Sequence, residues 1–229
     1  MSLCLVRRSN SVFTTSFQAT ENPISESGIW ANGLADGLDW SNVQTTNTGD
    51  AVFRACGSAF VDGFDDPSAI LKPSFRSFAN DQFAQGTIYR AAGYFTTSNF
   101  HETELRLRSD ISANSSTGYE LLIAIGLVTD TTSGWALVKW NGALGDFTTI
   151  SNNPESIPPS ADGDIWRVEI RGTVAKVFLN AVQQNTDIDL TLGGAISVWP
   201  SGNPGVGMYP QAGCVAESYG WRAFSAGDL

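Results

Sequence analysis

Histidine, methionine and cysteine are nearly missing from this chain: among 229 residues there are one, two and three of them, and only 16 % of positions are charged. Each shortage excludes something. With His101 as the one imidazole, any serine triad must use it as its base, and no G-x-S-x-G elbow accompanies it. Cys4, Cys56 and Cys214 are too few and too widely spaced for a disulfide framework or a zinc cluster. They read as buried thiols, with a Cys56 to Cys214 bridge between an early and a late strand as the alternative. No apolar run approaches the roughly 20 residues of a membrane span. At the N-terminus Arg7 and Arg8 follow the apolar run Leu3 to Val6 instead of preceding it, which is not the order of a signal peptide. The expectation is synthesis in the cytoplasm and no membrane insertion. Cations are scarce as well: 13 Lys and Arg against 23 Asp and Glu give a net charge of −10, a surface that repels phosphate backbones, so nucleic acid is not an expected partner.

What is abundant is glycine, 23 residues spread through the chain, together with short alternating segments separated by turns. Amphipathic helical periodicity is missing. This is the pattern of an all-β protein, a two-sheet antiparallel β-sandwich. Glu102 to Arg108 is the cleanest strand: Glu102, Glu104, Arg106 and Arg108 point one way, Thr103, Leu105 and Leu107 the other. Further strands are expected at Thr87 to Phe95, Tyr119 to Val128, Trp135 to Trp140, Phe147 to Ile150, Val206 to Tyr209 and Val215 to Phe224, with weaker ones at Phe13 to Phe17, Trp40 to Val43 and Ala51 to Ala55. Ser151 to Asp164, with Pro154, Pro158 and Pro159, reads as a long loop. Ile165 to Arg171 and Val174 to Leu179 flank Gly172-Thr173 and read as a hairpin. One domain over residues 11–229, preceded by an N-terminal extension over 1–10, accommodates all of these, and a chain of this length buries about 70 % of its unfolded surface.

The order of elements resembles a known superfamily. Trp166-Arg167-Val168-Glu169-Ile170-Arg171-Gly172 followed by Val174 to Asn180 is similar to the hairpin "W-x-V-E-x-x-G" ending in "V-x-L-N-G", with Ala181 where the pattern has Gly. Gly205-Val206-Gly207 is similar to its late "G-x-G" strand, and Phe83 to Phe95, Glu102 to Arg108 and Gly118 to Leu122 fall where its preceding strands lie. Over residues 11–226 the chain thus resembles the laminin-G-like and concanavalin A-like lectin/glucanase superfamily. That resemblance implies a jelly roll, a fold that hosts lectins, hydrolases, lyases, adhesins and passive coat elements.

The superfamily's catalytic patterns are incomplete here. The E-x-D-x-x-E strand of its laminarinase-type hydrolases does not occur. Glu102 and Glu104 share a strand face about 6.5–7 Å apart by strand rise, but Arg106 and Arg108 continue that face, which reads as an ion-paired ladder. Thr103-Glu104-Leu105-Arg106 resembles the R-[ST]-E-L strand of the alginate-lyase branch, yet His101 stands in no Q-x-H context. The expected function is therefore non-catalytic: a lectin-like recognition or attachment domain, a structural or decoration component of a larger assembly such as a phage or virus particle. A polysaccharide lyase or hydrolase is the alternative. Aromatic side chains stack on sugar faces, and the candidate ligand-binding residues are Tyr89, Arg90, Tyr94, Glu102, Glu104, Arg106, Trp135 and Lys139. Partners are then a glycan or other surface ligand and, in a virion-like assembly or homo-oligomer, protein neighbours. No cofactor is required. Laminin-G-like domains often hold a calcium ion in acidic loops, and Asp162 and Asp164, Asp187 and Asp189, and Asp62, Asp65 and Asp66 are the acidic loop candidates, with Asp162 and Asp164 the metal candidates carried forward.

Overall fold

The computed structural model describes residues 12–34, 40–49, 51–59, 66–93, 101–125, 134–143, 145–153, 160–210 and 216–229. Sixteen strands occur in chain order: β1 (Phe13–Thr15), β2 (Trp30–Asn32), β3 (Val43–Thr46), β4 (Arg54–Gly57), β5 (Ser68–Leu71), β6 (Gln82–Arg90), β7 (His101–Ser112), β8 (Ser115–Ala124), β9 (Trp135–Gly142), β10 (Phe147–Asn153), β11 (Ile165–Arg171), β12 (Val174–Leu179), β13 (Val182–Gln183), β14 (Ile188–Asp189), β15 (Asn203–Pro210) and β16 (Tyr219–Asp228). Among the described residues the one helical segment is the 3-10 turn Ala216–Ser218.

The strands form two antiparallel sheets. The first runs β13-β12-β11-β6-β16-β4-β3, with β1 beside β16 and β14 beside β12; the second runs β10-β9-β8-β7-β15-β5-β2. Alternation decides which side chains enter the space between them. Leu105 and Leu107 of β7, Tyr119, Leu121 and Ile123 of β8, Trp135 and Leu137 of β9, and Val206 and Met208 of β15 point inward from the second sheet. They meet Ala84 and Ile88 of β6, Trp166, Val168 and Ile170 of β11, and Trp221, Phe224 and Ala226 of β16. Burying one tryptophan removes on the order of 200 Å² from water, worth about 5 kcal/mol as an upper figure, so Trp135, Trp166 and Trp221 are major contributors to the sandwich. Two of the three indole N–H groups are bonded: Trp166 Nε1 donates to Ser160 Oγ at 2.8 Å and Trp221 Nε1 crosses to the Glu104 carbonyl at 3.1 Å, while Trp135 Nε1 is buried with no partner among the described residues.

The hairpin read from the sequence is present, with β11 and β12 in register from Trp166 opposite Leu179 to Arg171 opposite Val174. The central strand at Tyr119 begins earlier than its apolar run, at Ser115. β10 extends to Asn153, into the expected loop. Four short strands, β2, β5, β13 and β14, have no counterpart among the sequence expectations; each is only two to four residues long, too short to establish a period of two. Cys56 carries a buried thiol whose pKa burial pushes up to about 12. Cys4 and Cys214 lie outside the described residues.

His101 is oriented by the same alternation. It faces the core, stacked on Tyr219 with ring centroids 5.4 Å apart, and burial pushes its pKa down to about 4. The imidazole is held neutral, as a core aromatic.

Gly86 of β6 is a packing requirement: a Cβ there would lie 2.3–2.9 Å from the ring of Trp221. Gly86→Ala is expected to destabilise the fold by about 1–3 kcal/mol through overpacking, read as a lowered urea midpoint at unchanged slope.

Candidate functional site

The outer face of the second sheet carries the second set of each strand's side chains. On β7 these are Glu102, Glu104 and Arg106. The ladder places Arg106 opposite Glu120 of β8 and Glu104 opposite Leu122; on the other side Gly205, Gly207 and Tyr209 of β15 lie opposite Arg106, Glu104 and Glu102. On β9, Trp140 and Val138 share this face, and Phe147 of β10 pairs with Trp140. Asp66, just before β5, completes the group.

Arg106 organises it. Its Nη2 donates to Glu104 Oε2 at 2.5 Å and to Glu120 Oε2 at 2.8 Å, and all three side chains are almost fully buried. The same Glu120 oxygen accepts from Trp140 Nε1 at 2.6 Å. The guanidinium lies 5.3 Å from the Trp40 ring and 5.6 Å from the Trp140 ring, and these two indoles meet edge to face at 5.1 Å. Gly207 makes room for the arrangement, since a Cβ there would fall 2.1 Å from Glu104 Oε2.

Carboxylates outnumber the cation. Asp66, Glu104 and Glu120 each place an oxygen within 4.8 Å of the others, and Glu102 adds a fourth acid. Burial pushes the Glu102 carboxyl well above the usual range, with Glu104, Glu120 and Asp66 adding to the rise. Burial also pushes Glu104 up, against the opposing pull of Arg106. Burial works against the Arg106 cation, but Glu104, Glu120 and Asp66 outweigh it and hold the guanidinium above its ordinary value. Glu102 Oε2 and Glu104 Oε1 are buried acceptors with no hydrogen-bond partner among the described residues.

Above this floor opens a pocket of about 210 Å³. Asp66, Glu102 and Glu120 supply its polar side, and Leu122, Val138, Trp140, Phe147 and Tyr209 its apolar side. Glu104 lies beneath the lining. A larger groove of about 530 Å³ lies on the outer face of the first sheet, along Gln85, Ile165, Arg167, Glu169 and Phe178. Its charges satisfy each other: Arg167 bonds Glu169 at 2.7 Å and covers the Phe83 ring at 3.7 Å. The pocket on the second sheet is therefore the better candidate, because it combines buried acceptors that lack partners with an aromatic wall.

The structure separates the residues proposed from sequence. Glu102, Glu104 and Arg106 come together as described. Tyr89 and Arg90 sit on β6, in the other sheet: Tyr89 lies under Arg54, whose guanidinium is 4.0 Å from the ring, and Arg90 Nη1 donates to the Ser160 carbonyl at 2.8 Å. Tyr94 lies outside the described residues. Trp135 is in the core between the sheets. Lys139, of the same parity, turns away from the pocket and places its Nζ 5.1 Å from the Trp199 ring. Arg108 leaves the ladder. At Arg108 the backbone takes φ +47° and the β7–β8 register shifts between Leu107 and Asp110; Gly118, whose own Cβ would strike Ser109, stands opposite this bulge. Arg108 then donates to the carbonyls of Asn80, Trp199 and Gly172.

Of the acidic loops, Asp162 accepts from Arg222 and from the Arg90 amide, and Asp164 accepts from the Ala161 amide and from Asn180 Nδ2. Asp187 pairs with Lys176 at 3.2 Å, and Asp189 caps the turn at Thr191 and Gly193. Each closes a turn or pairs with a cation of the chain. Asp62 and Asp65 lie outside the described residues. In the Asp66–Glu104–Glu120 trio the place of a cation between Glu104 and Glu120 is taken by Arg106.

Sequence reading named Asp66 only as an acidic loop residue and missed Glu120, Trp140, Phe147 and Tyr209 as pocket residues. Parity would have found Trp140, the tryptophan of opposite phase to Trp135. Glu120 had a signal too, as the one acid in the apolar run Tyr119 to Ala124 of β8.

No protein-family model matches the chain, and no curated protein matches it. Solved structures do. A carbohydrate-binding module, CBM66 from Bacillus subtilis, superposes with a TM-score of 0.51 at 16 % identity, over 90 % of this chain and 95 % of that one. The carbohydrate recognition domain of Emp47p gives 0.51 at 13 % identity, over 94 % and 96 %. The β-porphyranase BpGH16B from the human gut bacterium Bacteroides plebeius gives 0.50 at 12 % identity, over 94 % and 89 %. The fold is the concanavalin A-like jelly roll, shared with both binding modules and hydrolases.

Two outcomes follow from the charge balance. Arg106→Met is expected to destabilise the protein by about 3–5 kcal/mol at pH 7, because it leaves buried carboxylates uncompensated. The loss shrinks at pH 5, because burial raises the proton affinity of the Glu104 carboxyl; urea unfolding at the two pH values checks this. Glu102 binds its proton more tightly folded than unfolded, so its contribution to stability is lost as pH rises from 4.5 through its raised value. Glu102→Gln removes that loss, and its melting temperature relative to the unsubstituted protein is expected to rise as the pH is raised above the ordinary carboxylate range.

Proposed function

We propose that the chain is a glycan-recognition module and that its site is the pocket on the outer face of the second sheet. The observation that carries this reading is the pairing of an apolar wall, Trp140, Phe147 and Tyr209, with buried carboxyl acceptors, Glu102 and Glu120, across one small pocket. Sugars present apolar C–H faces and rows of hydroxyl donors, and such a pocket meets both. Its volume of about 210 Å³ suits a single sugar ring. The structural relatives that bind carbohydrate support the reading as bearers of the same fold. The expected place in a phage or virus particle finds no support in the fold or its relatives, and the proposal is confined to glycan recognition.

Hydrolysis is the second reading, and one observation favours it: Glu102 is a buried carboxyl whose hold on its proton burial strengthens, the direction a general acid needs. A retaining hydrolase also needs a second carboxylate about 5 Å away and aimed at the sugar. Here Glu104 and Glu120 both bond Nη2 of Arg106, and Glu104 does not line the pocket. Recognition without turnover is the better fit.

Phe147, 41 % exposed at the pocket's edge, separates binding from folding. Phe147→Ala is expected to weaken glycan binding about tenfold, or 1.4 kcal/mol, in calorimetric titration against the best ligand of a glycan array, while its melting temperature stays near that of the parent. An array without a single bound glycan counts against recognition. Release of reducing ends that is lost in Glu102→Gln establishes hydrolysis instead.

A further inference from the structure

We propose that the pocket selects a sugar carrying a free ammonium group, an amino sugar of the 2-amino-2-deoxyhexose type, over its N-acetylated and neutral counterparts. The inference rests on the glycan-recognition reading of this pocket and deepens it.

The argument starts from charge. Asp66, Glu102, Glu104 and Glu120 converge on one buried region, and Arg106 is the one cation the described residues bring to it. That guanidinium is committed beneath the pocket, with Nη2 on Glu104 and Glu120. Glu102 is different: it lines the pocket, is 5 % exposed, and its Oε2 is buried with no donor among the described residues. An acceptor of this kind, removed from water and unpaired, is costly to leave so. A ligand that enters beside it is placed to supply the donor and the charge.

The three kinds of sugar differ in what they offer. A neutral sugar brings hydroxyl donors but leaves the excess of acids uncompensated. A uronic or sulphated sugar adds another negative charge to the cluster. An ammonium group brings three donors and a positive charge to a region of low polarity, where each interaction is stronger than in water. The wall is suited to the same group, since Trp140 and Phe147 present aromatic rings beside the acids, and an ammonium over such a ring is favoured further. N-acetylation removes the charge and adds bulk.

Titration calorimetry of the full chain at pH 6, with fully de-acetylated glucosamine oligomers and with the same oligomers N-acetylated, tests this. The amino form is expected to bind at least about tenfold tighter (1.4 kcal/mol). Because the chain carries a net charge of −10, attraction to the acidic surface at large must be told apart from the pocket. Glu102→Gln changes the net charge by at most one but removes the partner, so it is expected to erase the preference; Phe147→Ala is expected to weaken the amino-sugar complex without touching any charge. A preference that survives both substitutions is non-specific attraction and overturns the proposal. Equal affinity for the two oligomers overturns it while leaving glycan recognition standing. No binding by either oligomer, nor by neutral or acidic oligosaccharides, overturns both readings.

Discussion

One buried guanidinium sets the character of the outer face of the second sheet. Arg106 holds carboxylates from its own strand and from the next, Glu104 and Glu120, on a single nitrogen. A bond of this kind fixes register. If β7 slipped by one residue against β8, Glu102, Glu104 and Arg106 would all turn toward the core, and Leu105 and Leu107 would turn out. Three charged groups cannot enter the apolar layer, so the ion pair and the core specify the same register from opposite faces. The glycines of β15 belong to this constraint, because the Glu104 carboxylate occupies the space a side chain at Gly207 would need. The bulge at Arg108 ends it by sending the next cation to three backbone carbonyls at the end of the sandwich.

The sequence carries the fold clearly for a physical reason. A period of two is a local property, and long strands such as β7, β11 and β12 display it without help from their neighbours. The hairpin at Gly172 is local too, and its pairing can be read from the residues flanking one turn. The site is less legible because it is assembled across strands. Which sheet a strand joins is a tertiary fact: β6 lies between β11 and β16, so Tyr89 and Arg90 fall on the sheet opposite to Glu102. Parity within β9 was visible, but choosing which parity faces a ligand required knowing where the core lay. Lys139 is polar and Trp140 is not, so composition favoured the wrong phase for the pocket. The polar side chain packs against Trp199 and the apolar one faces Arg106. Asp66 enters from a segment too short to announce itself, and Arg108 departs because of a backbone bulge that no alternation pattern encodes.

The jelly roll is shared with proteins named for binding and for hydrolysis. What separates them here is the state of the carboxylates. A catalytic pair needs one acid that holds a proton and one that is ionised and free to approach the sugar. In this chain the carboxyl partners of Arg106 are immobilised by it, and one of them also accepts from Trp140. An arginine at the third alternate position of the Glu102–Glu104–Arg106 face thus turns a potential catalytic pair into fixed acceptors.

Such a cluster does not reach neutrality by itself. Among the described residues one guanidinium is the cation set against Glu102, Glu104 and Glu120, and protons or an entering ligand can take up the charge it does not balance. Protons answer first, which is why Glu102 and Glu104 hold them more tightly than carboxyls in water. That answer leaves a carboxylic acid at the pocket wall that can donate to a hydroxyl or give up its proton when a cation arrives. Asp66, Glu104, Glu120 and Arg106 surround Glu102, so its proton is the one most directly exchanged for an incoming charge at the lining. In the proposed complex, entry of a positively charged sugar would be coupled to proton release from the same carboxyl that otherwise lacks a donor among the described residues, and the preference for such a ligand would trace back to an imbalance that Arg106 only partly cancels.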